Sequence, residues 1–373
     1  MSPEQTERGA PAEERELLAR AREGDEAAFA RLVEPHRGKL HAHCYRMLGS
    51  VHDAEDAMQD AMLRAWKGLG RFQARGSVRP WLYKIATNVC LDQIGKRPKR
   101  VLPVDYGPRS DPHDGPGKPV VETVWIEPYP DEDLGLKDGL EGPDARYEQR
   151  ESVELAFVAA LQHLPATQRA VLIVREVLGF SAQEAAELLD TSTASVNSAL
   201  QRARAAVEDK LPDQSQQETL DELGDDRVKE LVERYMDAWE RDDVETVVAM
   251  LAEDATFAMP PLGTWFGGRE EIEEFLVGWP LSGSWRWRPL RVTANGQEAL
   301  AFYNWDPAED AYVPFALNVL TFDGERISDV VAFIARTPED PAPEAIARMP
   351  EQPYSGRQLA AAFGNFGLPE RLR

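Results

Sequence analysis

At 373 residues the chain exceeds one ordinary core, so two or three domains are expected. Hydrophobic residues at 43% and charged residues at 29% describe a soluble globular protein with no apolar run long enough to cross a bilayer. A formal net charge of −23 gives an overall field that repels phosphate, and two cysteines exclude a disulfide framework.

The first 24 residues, opening MSPEQTERGAPAEERELLAR, are polar and acidic where a signal peptide is basic and then apolar. They read as an arm on a cytoplasmic protein. Residues 25–98 read as helices: EAAFARLVEPHRGKLHAHCYRMLGS, DAEDAMQDAMLRAWKGL and RPWLYKIATNVCLDQIGKR each carry apolar residues at helical spacing, with glycine near each end. The first contains HAHC, in which His41 and Cys44 share a face as metal ligands do. Without a fourth ligand nearby a zinc site is rejected, and no metal or cofactor is expected. The stretch RGSVRPWLYKIATNVCLDQIGKRPKR gathers cations and rings against the acidic background. Local charge decides binding, because screening confines each charge to about 10 Å. The spacing of Trp81 with Ile85 equally suits core packing.

Residues 99–147 lose all periodicity and are rich in Pro, Gly and Asp, predicting an acidic tether without helices. Within it, VVETVWIEPYP is apolar enough to lie on a surface. Residues 148–211 return to helix. In GFSAQEAAELLDTSTASVNSALQRARAAVEDKL, Ser181 and Glu184 form a capping box, DTST supplies the turn, and Val196, Leu200, Ala203 and Val207 form a buried stripe. The opposite face carries Ser195, Asn197, Ser198, Gln201, Arg202 and Arg204, short polar groups suited to base edges followed by arginines suited to phosphate. The pattern is that of a helix-turn-helix, and also of a plain helical hairpin with solvated arginines.

Residues 212–225 read as a polar joint. From 226 to 336, two helices, a strand, a third helix and four strand-like runs predict an α+β module. A Pro-rich tail, 337–373, ends in AAFGNFGLPERLR.

Taken together, HCYRMLGSVHDAEDAMQDAMLRAWKGLGRFQARGSVRPWLYKIATNVCLD and LQHLPATQRAVLIVREVLGFSAQEAAELLDTSTASVNSALQRARA resemble the second and fourth conserved regions of bacterial RNA polymerase sigma factors of the extracytoplasmic-function (ECF) group. WIEPYPD and the C-terminal module resemble the sigma factor G-like subgroup, which carries a SnoaL-like domain. The resemblance implies two all-α domains, the second a helix-turn-helix, joined by an acidic linker and followed by an α+β cone with an apolar cavity. It implies that Asp53, Glu55, Asp56, Gln59 and Asp60 dock on core RNA polymerase. It implies that Arg75, Arg79, Lys84, Lys96, Arg97, Lys99 and Arg100 meet phosphates of the −10 element, with Asn88 and Asp92 facing exposed bases of melted DNA. The six polar residues of the second hairpin helix would read the double-stranded −35 element. The linker resembles one that threads toward the polymerase active centre.

In the third domain, Tyr235, Trp239, Phe257, Met259, Trp265, Phe266, Trp305 and Phe315 are candidates to line a cavity for a small apolar ligand. Related isomerases place a catalytic Asp where ATFAMPP has Met259, which cannot transfer a proton. No histidine follows His163. Asp329 is the remaining acid to weigh, and a lone carboxylate is a weak sign of catalysis. The expectation is a sigma factor, not an enzyme, regulated in cis by its C-terminal domain and tail. The rival readings are an operator-binding regulator and a SnoaL-like isomerase or hydrolase fused to a DNA-binding domain.

Overall fold

The computed structural model describes residues 12–72, 77–117, 124–134, 152–208, 210–212, 214–334 and 363–373. The chain divides into two compact units, one drawn from 1–99, 133–142 and 160–211 and the other from 100–132, 143–159 and 212–373. Among the described residues, no helix is long and apolar enough to cross a membrane.

The first unit is helical: α1 (Ala12–Arg22), α2 (Glu26–Val33), α3 (Arg37–Leu48), α4 (Val51–Gly68) and α5 (Arg79–Ile94), then the end of α6 (Leu155–Gln162), α7 (Ala166–Leu172), α8 (Ala182–Leu188) and α9 (Thr193–Glu208). Part of the expected N-terminal arm is α1, which buries Leu17, Leu18 and Ala21. Gly49, at φ 70°, ends α3, and the Ser50 hydroxyl accepts the Asp53 amide to start α4. Ala54, Ala57, Ala61 and Ala65 are fully buried along one stripe of α4, a small-residue face that lets α3 and α5 approach closely. Arg169 on α7 is 5% exposed and donates to the carbonyls of Met47, Gln162 and Leu164 and to the Gln162 side chain, tying α7 to α3. Burial pulls its pKa down to about 10.

The second unit is α+β: α10 (Gln216–Leu223), α11 (Asp225–Glu240), α12 (Val244–Met250), β1 (Leu251–Ala258), β2 (Trp265–Gly267), α13 (Arg269–Gly278), β3 (Trp287–Ala294), β4 (Gln297–Asp306), β5 (Ala311–Asp323) and β6 (Arg326–Ile334). The sheet runs β2-β1-β6-β5-β4-β3, antiparallel except for the parallel β1–β6 pair. Val232, Tyr235 and Trp239 of α11, Phe275 of α13, and Phe302 and Leu320 of the sheet share one core.

Three features differ from the sequence reading. The joint expected at 212–225 contains α10, held by a Ser215–Glu218 capping box. Its glutamines are buried because their amides find partners: Gln216 donates to Phe322 O at 2.9 Å, and Glu154 accepts the amides of Gln216 and Gln217 at 3.0 and 2.9 Å. Second, β2 has only three residues, too few for a periodic signal. Third, the segment expected to be a helix-free tether includes a helical turn, Pro103–Tyr106, and pairs Val101 with Trp125 and Pro130 with Ala294.

Candidate nucleic-acid interface and cavity

On α4, Glu55, Asp56, Gln59 and Asp60 are exposed, and Gln59 donates to Glu55 at 3.4 Å. Asp53 departs from that face. It is 7% exposed, lies in the first turn under Ser50, and is paired with Arg97. Leu63, 56% exposed, continues the stripe of Asp56, Gln59 and Asp60 one turn on, giving the acidic face an apolar edge. The sequence reading passed over it because an isolated surface leucine is ordinary.

The cations expected at the −10 element are not equivalent. Arg75 lies outside the described residues. Lys96 and Arg97 are exposed just past α5, Arg97 in its pair with Asp53. Lys99 meets His163 Nδ1 at 2.7 Å. Arg100 differs most from a phosphate-facing cation: it is 8% exposed and donates to Trp125 O at 2.6 Å, with Glu127 at 3.6 Å. On α5 itself, Arg79 donates to Leu178 O at 2.8 Å and lies over the Phe180 ring at 4.5 Å. Lys84 meets Asp190 at 2.5 Å and Glu187 O at 3.0 Å. Asn88 is half-buried, and Asp92 is exposed and paired with Arg64 at 3.1 Å. Trp81 is half-buried and stacks on Phe72 at 4.6 Å. In this conformation the N-terminal part of α5 is covered by the end of α8 and the turns that flank it.

The helix-turn-helix carries its caps. Ser181 accepts the Glu184 amide and Glu184 accepts the Ser181 amide. Asp190 sits at φ 50° in the turn, and Ser192 caps the Ser195 amide. Val196, Leu200, Ala203 and Val207 are buried, while Ser195, Asn197, Ser198, Gln201, Arg202 and Arg204 are all exposed on α9. Arg202 donates to Ser198 at 2.6 Å, and Arg204 pairs with Glu176 at 2.8 Å, on the flank.

In α3, His43 is fully buried against Thr87 at 2.9 Å, and desolvation pushes its pKa down to about 3. Among the described residues, no group of His, Cys, Asp and Glu could hold a metal ion.

The second unit contains a cavity of about 640 Å³, open mouth included, between the helices and the sheet. Trp239, Phe257, Met259 and Phe315 line it, as do Phe275, Trp279, Trp285, Trp287, Phe302 and Asn318, which the sequence reading did not single out. The alternation of Trp285 and Trp287 was the available signal. Tyr235 is core, with burial raising its pKa. Trp265 lies outside the lining, its indole donating to Gly107 O at 2.9 Å. Asp329 is also outside the lining and accepts from Thr256 at 2.6 Å and Ser328 at 2.9 Å. Among the described residues lining the cavity there is no acid, base or nucleophile.

The described parts of residues 100–132 are held by this same unit. Trp265 O accepts the Ser110 amide at 3.0 Å, and Thr264 donates to Pro116 O at 2.7 Å. At the β3–β4 turn, Asn295 Oδ1 accepts the Tyr129 amide, Asn295 Nδ2 donates to Val153 O, and the Gly296 amide donates to Asp131, each at 2.8 Å. The C-terminal tail has its described end on the sheet of this unit. Phe363 is buried against Tyr303, Tyr303 donates to Pro369 O at 2.7 Å, and Leu372 bridges Tyr312.

Family models match three stretches: Sigma-70 region 2 over residues 32–100, Sigma-70 region 4 over 154–207, and a SnoaL-like domain over 232–330. The chain is 41% identical over 318 residues to the ECF RNA polymerase sigma factor SigG of Mycobacterium tuberculosis, covering 85% of this chain and 83% of that protein. It is 29% identical over 198 residues to the ECF RNA polymerase sigma factor SigW of Bacillus subtilis, covering 52% and 95%. The crystal structure of M. tuberculosis extracytoplasmic function sigma factor SigJ aligns with a TM-score of 0.51 at 21% identity, covering 84% of this chain and 96% of that one, a likeness of fold.

Proposed function

From the premise that this chain belongs to the ECF sigma factors of the sigma-70 family, we propose that its SnoaL-like domain controls promoter use in cis by holding the linker between sigma regions 2 and 4. As an ECF sigma factor the chain directs transcription initiation, working with core RNA polymerase and promoter DNA, and is not itself an enzyme. Its finer assignments are our reading. Residues 25–98 act on the polymerase and the −10 element in the cytoplasm. Polymerase meets the exposed face of Glu55, Asp56, Gln59, Asp60 and Leu63, an acidic surface with an apolar edge that suits a basic partner. Lys96 and Arg97 track the backbone of melted DNA, and residues 148–211 present α9 to the −35 element.

The observation that carries regulation in cis is the clasp on residues 107–116 and 129–131, made by Thr264, Trp265 and the Asn295–Gly296 turn. A linker bonded to the C-terminal domain is not available to follow another path until those bonds break. The test is run-off transcription with purified core polymerase, comparing the full chain with a chain ending at Lys210. A change in output or in polymerase affinity supports the reading; identical output and affinity would sink it.

A further inference from the structure

We propose that the cavity of the SnoaL-like domain binds, without turning over, a flat uncharged ring compound carrying one hydroxyl donor, and that residues 107–117 form the lid that senses it. The proposal rests on the reading that this domain acts in cis through the linker, and it adds the signal and the contact that reads it.

The chemistry of the ligand follows from the walls. The cavity opens to solvent at its mouth and is walled, Asn318 apart, by apolar and aromatic side chains, the usual character of a small-molecule site. Trp285 and Trp287 stack with 10° between their planes at 5.3 Å, and Trp239 meets Phe302 edge-on at 4.8 Å, surfaces that favour a flat apolar body. Asn318, on β5, is 3% exposed, lines the cavity, and its Oδ1 has no hydrogen-bond partner. A buried acceptor left unpaired is costly, so a ligand that donates to it is favoured over one that cannot. No charged side chain lines the space among the described residues, so an ionised ligand would enter without a counter-charge.

The lid follows from the wall that the sheet and helices do not supply. Pro116 lines the cavity, held by the Thr264 bond to its carbonyl. Next to it, Gly115 sits at φ 75°, and a Cβ there would fall 2.1 Å from the Trp279 ring. Only glycine permits that approach. Trp279 also lines the cavity, so an occupant pressing on Trp279 and Pro116 bears directly on the clasp of residues 107–117.

The test titrates the full chain with 2-naphthol and with naphthalene by calorimetry, and follows hydrogen exchange of the Ser110 amide, which donates to Trp265 O. Expected is saturable binding of 2-naphthol, about tenfold tighter than naphthalene, near the upper value of one neutral hydrogen bond. Asn318→Leu should erase that preference, Ala332→Phe should remove binding of both, and 2-naphthol should slow Ser110 exchange severalfold in the unaltered chain. Gly115→Ala should abolish the effect on exchange. Absence of saturable binding, a naphthol preference that survives Asn318→Leu, or binding that leaves Ser110 exchange unchanged would each overturn the proposal. Holoenzyme transcription measured with and without 2-naphthol separates the two readings. Binding and slowed exchange, with transcription unchanged both by 2-naphthol and by ending the chain at Lys210, would uphold the liganded lid and overturn control in cis.

Discussion

Asn295 and Tyr129 bond to each other twice: the Asn295 side-chain oxygen accepts the Tyr129 amide at 2.8 Å, and the Asn295 amide donates to the Tyr129 carbonyl at 2.8 Å. Asn295 can do this because it sits at φ 57° ahead of Gly296 at φ 70°, the left-handed pair of a tight hairpin turn, where asparagine is well tolerated. Asn295→Gly keeps the turn and removes the amide, stranding the Tyr129 N–H and the Val153 carbonyl. The expected cost is about 2 kcal/mol in urea denaturation, with faster exchange at Tyr129. A loss below about 0.5 kcal/mol would show that the clasp contributes little.

The Lys84–Asp190 contact covers a cation expected to face promoter DNA. Asp190→Asn retains the left-handed turn residue while removing the charge. Exposed ion pairs are worth at most about 1 kcal/mol, so free protein should bind a single-stranded −10 oligonucleotide up to about fivefold more tightly. Fluorescence anisotropy reads this directly, and weaker binding would contradict a covering role.

Lys96 and Arg97 should differ although they are adjacent and both exposed. Lys96→Ala should reduce the log–log salt slope of holoenzyme–promoter binding by roughly 0.7–0.9, the value of one released counterion. Arg97 starts in its pair with Asp53, so Arg97→Ala should change the slope less in the unaltered background than alongside Asp53→Asn. Equal effects in both backgrounds would remove Asp53 from the account.

His43 gives a pH signature. Its folded pKa of about 3 lies below the ordinary 6.5, so the unfolded chain binds a proton that the folded chain refuses between those values. Stability therefore falls as pH drops from about 6.5 toward 3, at up to about 1.4 kcal/mol per pH unit from this group. Above pH 6.5 the penalty is absent. His43→Gln should flatten that limb in chemical denaturation at pH 4–6, and an unchanged slope would refute the assignment.

Where side chains repeat with helical or alternate spacing, the sequence was legible. The Ser181–Glu184 box, the Val196–Val207 stripe and five of the six described strands could be read because each is a local rule. What escaped depended on partners distant in the chain. Gln216 and Gln217 look solvated until Glu154 and the sheet satisfy them, and Arg100 reads as a phosphate ligand until Trp125 buries it. Proline-rich text around Pro112 and Pro116 signals irregular backbone but not which surface receives it. Asn318 carried no local mark, because an inward asparagine on a strand looks like any polar alternation until its oxygen is found without a partner.

The Asn295 amide binds Tyr129 with one atom and Val153 with another, fastening the two sides of the acidic stretch between them to a single hairpin. A protease cut within that stretch would therefore sever the backbone without releasing either piece. The nicked protein should migrate as one species in native electrophoresis and as two under denaturant, behaving as a covalently broken but mechanically closed ring.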